Sequence, residues 1–473
     1  MLGSWAGAPR VLANRIGLRR RVLIAAAGVA AVAVVARVMV PRLVGAYYVD
    51  SGQASLASGH FTAAIEALSR AERFQPNSAE VQYFLAAAFR RADRPERFAL
   101  HLERARALGW PESELARQAW LAELQSGKVA GVKDQLQSLV GESVPDDVAE
   151  EVYEALAKGY LRSFRWGDAW VCLEAWLQWR PDAPHAHVMR GYLREQAGDT
   201  SAAAEDYRAA LERLPSLSEA RLRLACLLLQ QNQVEEAREQ YLARLADAPD
   251  DGQALAGLAQ CEVRRGDAPA ARSAIARALA SELPAYQRGI VLGELGRLLL
   301  AEGKSEEARM VLQQAVALAP GEPQIHVHLA TVLARAGQQE QAAYHQQRAQ
   351  QIRLEYERVT ELGRQLVQRP NDAGLRFQTG EILLRQGLRD EALRWLASAL
   401  ACDPHHGPTH ALLAQFYAEL GDAEQAAYHR LQAAGVSDLP KTRTAQKTPP
   451  SAATPPNATT RPAEGTIKGS PRP

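Results

Sequence analysis

The sequence predicts an all-α solenoid of stacked helical hairpins, and three observations predict it. A motif returns about every 34 residues, from roughly Tyr47 to roughly Ala434. Its core is a turn residue, an alanine five positions later, often another alanine twelve later, and often a proline seventeen later. Gly59, Ala64, Ala71 and Pro76 form one copy, and Gly198, Ala203, Ala210 and Pro215 another; Gly303 to Pro320 and Gly387 to Pro404 repeat the spacing. Between turns, apolar residues recur at helical spacing, and Pro or Gly separates the segments. A period of this length means units that pack on their neighbours, not a closed globule around a central active site.

The elements follow from the amino-terminal end. Residues 1–49 contain no Asp or Glu. Arg10, Arg15, Arg19, Arg20 and Arg21 precede an apolar run, residues 22–40, interrupted only by Arg37. At ~1.5 Å per residue the run reaches about 28 Å, close to the ~30 Å bilayer core. Arg37 and Arg42 can snorkel to the far interface, where Tyr47 and Tyr48 also fit. Five arginines before the span against two after it favour a cytoplasmic amino terminus, residues 1–21, with the repeats on the other side. The Ala/Leu/Arg-rich composition leans towards a bacterium, which makes that side the periplasm and the span a single-pass anchor in the inner membrane. Two other readings stay open. A cleaved signal peptide has imperfect sites at Ala31-Val32-Ala33 and Val44-Gly45-Ala46, and a mitochondrial presequence is also rich in Arg and poor in acids.

The repeats run over residues 44–438. In the unit around Asn232 the first helix is expected at about Ala220–Gln231. The second starts near Val234 and ends at Pro249, which has no amide donor and clashes with the preceding turn. Seven positions before each turn lies a small residue, such as Gly52, Ala157, Gly191, Ala225, Gly296 or Gly380. A small side chain there lets one helix approach the next. Residues 79–146 hold two degenerate copies, with turns near Arg94 and Gly127, and Trp120 stands where other units are small. Gly337 to Gly387 spans 50 residues instead of 34. Gln338–Arg369 therefore reads as an overlong helix, or as a helix plus an inserted one. It is either tolerated drift or a docking ledge. From 439 to 473 the chain is dense in Pro, Thr, Ser, Ala and Lys, a composition that cannot bury enough surface to order itself.

These residues resemble the tetratricopeptide repeat, whose consensus has a small residue at position 8, a turn Gly near 15, Ala at 20 and 27, and Pro at 32. The units with turns at Gly59, Gly198, Gly303 and Gly387 match all five positions, and about eleven units in phase cover roughly 390 of the 473 residues. The resemblance implies a right-handed superhelix whose first helices line a groove for protein partners. By phase that groove would include Phe84, Arg117, Lys158, Tyr192, Glu195, Gln260, Arg264, Arg297, Arg335, Phe377, Glu381 and Gln415. Some family members clamp a carboxyl terminus with Lys and Asn on successive first helices. With only Lys158 and no Asn at those positions, that mode is disfavoured.

Other chemistry is sparse. Net charge is +1, from 55 basic and 54 acidic residues. Phosphate binding wants a basic surplus, so nucleic acid is not the expected partner. Cys172, Cys226, Cys261 and Cys402 form no Cys-x-x-Cys pair. There is no phosphate loop, nucleophile elbow or His-Glu-x-x-His. His405, His406 and His410, near Cys402 and Asp403, are the one group resembling a metal site, and they read equally as a polar inter-repeat loop. No cofactor and no catalysis are expected. Trp166 and Trp170 share a helix face one turn apart, and are either an aromatic contact patch for a partner or packing that compensates for an irregular neighbour. The sequence thus predicts a membrane-anchored scaffold for protein partners in the cell envelope. The alternative is a subunit of a polysaccharide synthesis or export system that touches glycan.

Overall fold

A computed structural model describes residue 37, residues 39–128 and residues 144–435. The basic segment 1–21, most of the apolar run 22–40, and the tail 439–473 lie outside the described residues. Among those described, no helix is long and apolar enough to cross a membrane. They fall into two units, residues 37–406 and residues 407–435.

Every regular element described is a helix. In the first unit the helices pair as hairpins: residues 39–57 with Phe61–Phe74, Ala79–Arg91 with Pro95–Ala107, Asp146–Arg162 with Trp166–Trp179, and Pro184–Gln196 with Thr200–Arg213. Ser218–Gln230 pairs with Val234–Asp247, Gly252–Arg265 with Ala268–Ala280, Ala285–Ala301 with Ser305–Leu318, Pro323–Arg335 with Gln339–Gln368, and Ala373–Arg385 with Arg389–Cys402. Glu112–Gln125 is the first helix of the degenerate third repeat; the residues that follow it, 129–143, are outside the description. The second unit is one hairpin, Gly407–Glu419 with Ala423–Ala433.

Each turn reverses through one residue at positive φ: Gly59, Asp93, Gly127, Phe164, Gly198, Asn232, Gly266, Gly303, Gly337, Gly387 and Gly421. Glycine adopts this conformation at no steric cost and Asn or Asp tolerates it, but a bulky aromatic does not. Phe164, at φ 54°, is therefore held by something outside its hairpin. The second helices often start on an aspartate whose carboxylate accepts from a first-turn amide, as Asp199 does from Ala202 N at 3.1 Å and Asp422 from Gln425 N at 3.1 Å.

Packing inside a hairpin follows one rule. The small residue seven before the turn faces the residue sixteen positions on: Gly52 faces Leu68, Gly191 faces Tyr207, Gly296 faces Leu312 and Gly380 faces Leu396. A Cβ at Gly191 would stand 2.8 Å from the Tyr207 ring, itself fully buried. Gly191→Val is expected to destabilise this hairpin by about 1–3 kcal/mol through overpacking. A lowered thermal midpoint checks this, and an unchanged one would mean the helices can part freely.

A second rule ties five of the hairpins to the loop before them. In these, a polar residue eleven positions before the turn meets a partner nineteen residues later, on the second helix. The pairs are Gln82–His101 at 2.7 Å, His187–Asp206 at 3.1 Å, Arg221–Gln240 at 3.0 Å, His326–His345 at 2.9 Å and, in the second unit, His410–His429 at 2.8 Å. The same first-helix residue also bonds the carbonyl of the proline six positions earlier, as in His187 to Pro181, Arg221 to Pro215 and His326 to Pro320. This clip satisfies a carbonyl that would otherwise be left unpaired between repeats. It accounts for His187, His326 and His410 near the starts of their helices.

The long helix Gln339–Gln368 is continuous, with 30 residues where most second helices have 13 or 14. The sixteen residues beyond the usual 14 equal the excess of the 50-residue spacing over 34. Ala342, Ala349 and Ile352 in its first part are buried, and Leu362 and Leu366 in its second part pack with Leu375 and Trp395 of the next repeat. Gly363 also approaches Trp166 and the carbonyl of Gln196, and Gly198 lies against Thr360. The extra turns thus carry the later repeats of the first unit back onto its earlier ones.

Candidate functional site

Four successive first helices, Pro184–Gln196, Ser218–Gln230, Gly252–Arg265 and Ala285–Ala301, present one stripe each to a shared depression. One cavity of about 790 Å³ is lined by Leu222, Cys226, Tyr241, Gln253, Gln260, Gln287 and Ile290. A second, of about 430 Å³, is lined by Phe61, Lys158, His185, Met189, Tyr192, Glu391 and Arg394. Glu219 and Arg223 line both, so the two are continuous.

Arg223 is the hinge of this groove. Its guanidinium lies 3.2 Å from Glu195, 3.2 Å from Glu219 and 4.8 Å from the Tyr192 ring centre. Burial works against its charge, but Tyr207, Glu219 and Glu195 outweigh that, and its pKa is raised. The Tyr207 hydroxyl donates to Glu195, so the carboxylate is fixed from both sides. Farther along, Arg244 pairs with Asp251 at 2.7 Å. Matched acids and bases beside Tyr192, Tyr241 and Ile290 suit an extended ligand that is polar but carries no dense charge of one sign.

The second cavity rests on a buried ion cluster. Arg91 bonds Glu154 at 2.8 Å and the carbonyl of Leu56 at 3.0 Å; Lys158 bonds Glu154 at 2.6 Å and the carbonyl of Arg91 at 2.7 Å. Burial would raise the Glu154 pKa, but Arg91 and Lys158 reverse it and hold the carboxyl well below the usual range. Arg91 sits 4.5 Å from the Phe61 ring centre, and His185 stacks on Phe61 at 4.6 Å. Burial pushes His185 down to about 4.

The residues expected in the groove divide. Tyr192, Glu195 and Gln260 line it. Lys158 touches its edge, but its ammonium is committed to Glu154 and Arg91 and is not a free anchor. Arg264 is exposed on the same helix as Gln260 and donates to the Leu229 carbonyl. Arg297 lies 3.2 Å from Glu294. Phe84 packs edge-on against Tyr83 and Trp110, and Arg117 bonds the Tyr83 hydroxyl at 3.0 Å, so both belong to the packing of the second and third repeats. Arg335 is exposed, Glu381 is half-buried, and Phe377 contacts His406; none lines these cavities. In the second unit, Gln415 bonds Glu419 at 3.1 Å.

The two tryptophans of the aromatic pair part ways. Trp166 meets Trp395 edge-on at 5.4 Å, and Phe164 lies 4.0 Å from the same ring. Its contact is with a distant repeat of this chain. Trp170 stays exposed, with Arg194 5.9 Å from its ring centre. Arg223, Glu219, Gln253, Gln287 and Ile290 escaped the sequence reading, which named no groove residue in the Asn232 unit and in the neighbouring units took positions two to six residues before the turn. Extending the stripe two to three turns towards each helix start would have found them. Phe61, Glu391 and Arg394 come from second helices of distant repeats and carry no local signal.

All four cysteines are free. Among the described residues, no group of three or more His, Cys, Asp or Glu is placed to hold a metal ion.

Profiles described as tetratricopeptide repeat match residues 195–254 and residues 49–113 and 294–354. The chain is 27% identical over 246 residues to "Cellulose synthase 1 operon protein C" of Komagataeibacter xylinus; the match takes in 47% of this chain and 17% of that protein. The chain thus spans about a sixth of the length of that relative. Among solved structures it is similar to PilW, titled a widely conserved type IV pilus biogenesis factor, at 20% identity over 41% of this chain and 89% of that one, with a TM-score of 0.36. It is also similar to the APC/C hetero-tetramer Cut9-Hcn1, at 16% identity over 80% of each chain, with a TM-score of 0.33. A thermophilic TPR protein from Thermus thermophilus shares 22% identity over 43% of this chain and all of that one, with a TM-score of 0.31.

Proposed function

This chain belongs to the tetratricopeptide-repeat family, and from that premise we propose that it is a membrane-anchored scaffold of the bacterial envelope that binds an extended segment of a protein partner in the groove around Arg223. The observation that carries the reading is the unbroken lining of polar and aromatic side chains from four successive first helices. The mechanism is binding, with no reaction: many modest contacts on a preformed surface, with Tyr192 and Arg223 as anchors. The apolar run 22–40 and its flanking arginines support the anchor.

The test is crosslinked recovery of partners from native membranes, comparing the full-length protein with Arg223→Gln and with a variant lacking residues 10–40. Arg223→Gln keeps a polar side chain of similar reach but loses the charge. It should reduce the recovered partner about tenfold, the loss of an anchor worth roughly 1–2 kcal/mol, in protein that still folds by circular dichroism. Equal recovery from a folded Arg223→Gln protein would remove the groove from the interface.

A second reading has its own support in the similarity to the cellulose synthase operon protein. There the groove would take a glycan, with hydroxyls bonding Gln253, Gln260 and Gln287 and rings resting on tyrosines. Calorimetric titration of the repeats with cello-oligosaccharides decides between the two, and a flat trace removes the glycan.

A further inference from the structure

The first helix of the array, residues 39–57, starts where the apolar run ends. Pro41, in its first turn, has no amide donor to leave unpaired there. Along this helix Gly45, Val49, Gly52 and Leu56 face its hairpin partner and are buried. The opposite face is unusual for a water-exposed surface: Met39, Val40, Leu43 and Tyr47 are 48–68% exposed, at helical spacing. The antiparallel partner Phe61–Phe74 ends at the same level. The Gln75 side chain donates to the Arg42 carbonyl at 2.9 Å, and Phe74, 42% exposed, stacks on Tyr48 at 6.1 Å. Apolar and aromatic groups therefore ring the open end of the hairpin, opposite its turn at Gly59.

The charges at this end complete the pattern. Arg37, Arg42, Arg70 and Arg73 lie there, with Arg70 5.9 Å from the Tyr48 ring centre. The acid among them, Glu72, is bonded to Gln82 and paired with Arg104. The next acid on the first helix is Asp50. Tyrosines and arginines beside aliphatic residues are the composition of a bilayer interface, where ring edges and guanidinium groups meet phosphates and carbonyls. The dimensions agree. Seven residues from Val40 to Tyr47 rise about 10 Å, roughly the thickness of one headgroup layer and its edge.

We propose that the open end of the first hairpin, formed by Met39, Val40, Leu43, Tyr47 and Phe74, is a lipid-facing surface that seats in the headgroup layer and holds the array against the membrane. This rests on the anchor reading and goes beyond it: the groove is then presented at a fixed height and orientation. A partner must reach it within that layer of the envelope.

The full-length protein, reconstituted in phosphatidylethanolamine–phosphatidylglycerol vesicles, tests this. A nitroxide is placed at position 43, 47, 74 or 58 through a genetically encoded amino acid, which spares the four native cysteines. Power saturation with oxygen and with a water-soluble nickel chelate then reads depth. Positions 43, 47 and 74 should favour oxygen over nickel at least about threefold relative to 58, which lies at the far end of the helix about 22 Å away. Water-like values at 43, 47 and 74 in protein that floats with the vesicles overturn the seated surface and leave the anchor standing. Protein that fails to float overturns the anchor itself, and this surface with it.

Discussion

Trp395→Ala is expected to open the first unit where its later repeats return onto its earlier ones. Trp395 is buried among Leu362, Leu366, Leu375 and Leu383 of its own neighbourhood and Phe164 and Trp166 of a repeat more than 200 residues away. Truncating a buried tryptophan costs about 3–5 kcal/mol, because the cavity left behind collapses only in part. Here the loss falls on a contact between distant repeats, one of several that close the first unit. In a repeat array each unit otherwise leans only on the next, so the damage should stay local. Amide exchange reads this directly. Protection should fall around Ser163–Arg165 and 359–366, while Ser218–Ala280 keeps its own. Unchanged exchange at Ser163–Arg165 would mean that the closure does not persist in solution.

Arg376 makes the same point with polar chemistry. It occupies the clip position, but its partner nineteen residues on is Trp395, which cannot pair with it. Its guanidinium instead donates to the carbonyls of Phe164 at 3.0 Å, Ser163 at 3.4 Å and Pro370 at 3.2 Å. The first two are free carbonyls at the carboxyl end of the Asp146–Arg162 helix, where the helix dipole favours a cation. Phe164 keeps its costly positive φ because its ring is needed against Trp395. A double variant with Phe164→Ala should therefore destabilise less than the sum of the single changes, since the two side chains share one contact.

The repeats were legible because their grammar is local. A turn residue at positive φ, small residues at fixed offsets and a proline after the second helix all act within one hairpin, so Gly198 or Asn232 announces itself without any knowledge of the rest. The overlong helix was legible too, as a spacing of 50, but not its role, since nothing near Gln339–Gln368 says that its extra turns reach Trp166. For the same reason Trp166 was left between a contact patch and packing against an irregular neighbour. Its partner is Trp395, and a 34-residue period gives no hint of which distant units meet. The groove was half visible. Tyr192, Glu195 and Gln260 followed from phase, whereas Arg223 shares the phase of Phe84 but sits in a unit from which no groove position was taken, and Glu391 and Arg394 needed the closure. Lys158 has the phase of a groove residue but is consumed by Glu154, because the buried carboxylate of one helix turn must be matched by whichever cations can reach it.

Acidification from pH 7 to pH 4.5 should loosen both units well before most carboxylates protonate. His185, His429, His326, His345, His328 and His101 all have pKa values lowered by burial, with His185 and His429 at about 4. An unfolded histidine titrates near 6.5. Between those values the unfolded chain binds more protons, so stability is full above about pH 6.5 and is lost as pH falls towards 4. For His185, between Phe61 and the Gly59 carbonyl, the span from 6.5 to about 4 is worth about 3 kcal/mol. The clips fail by a specific route. His326 faces the Pro320 carbonyl through Nε2, which must carry the proton, so its Nδ1 is the acceptor for the Nδ1–H of His345. A proton on His326 Nδ1 turns that bond into a contact between two donors, with Arg348 adding a like charge nearby. In His410–His429 the rings meet through the same Nδ1 atoms, with Tyr417 stacked on His429 and Tyr428 edge-on. His345→Gln preserves a donor for His326 and removes one titrating group, so it should weaken the pH dependence while leaving the neutral-pH melting point within about 1 kcal/mol of its original stability. Circular dichroism melts from pH 7.5 to 4.5 decide the matter. A midpoint that is flat down to pH 4.5 would show that the buried histidines take up protons without disturbing the clips.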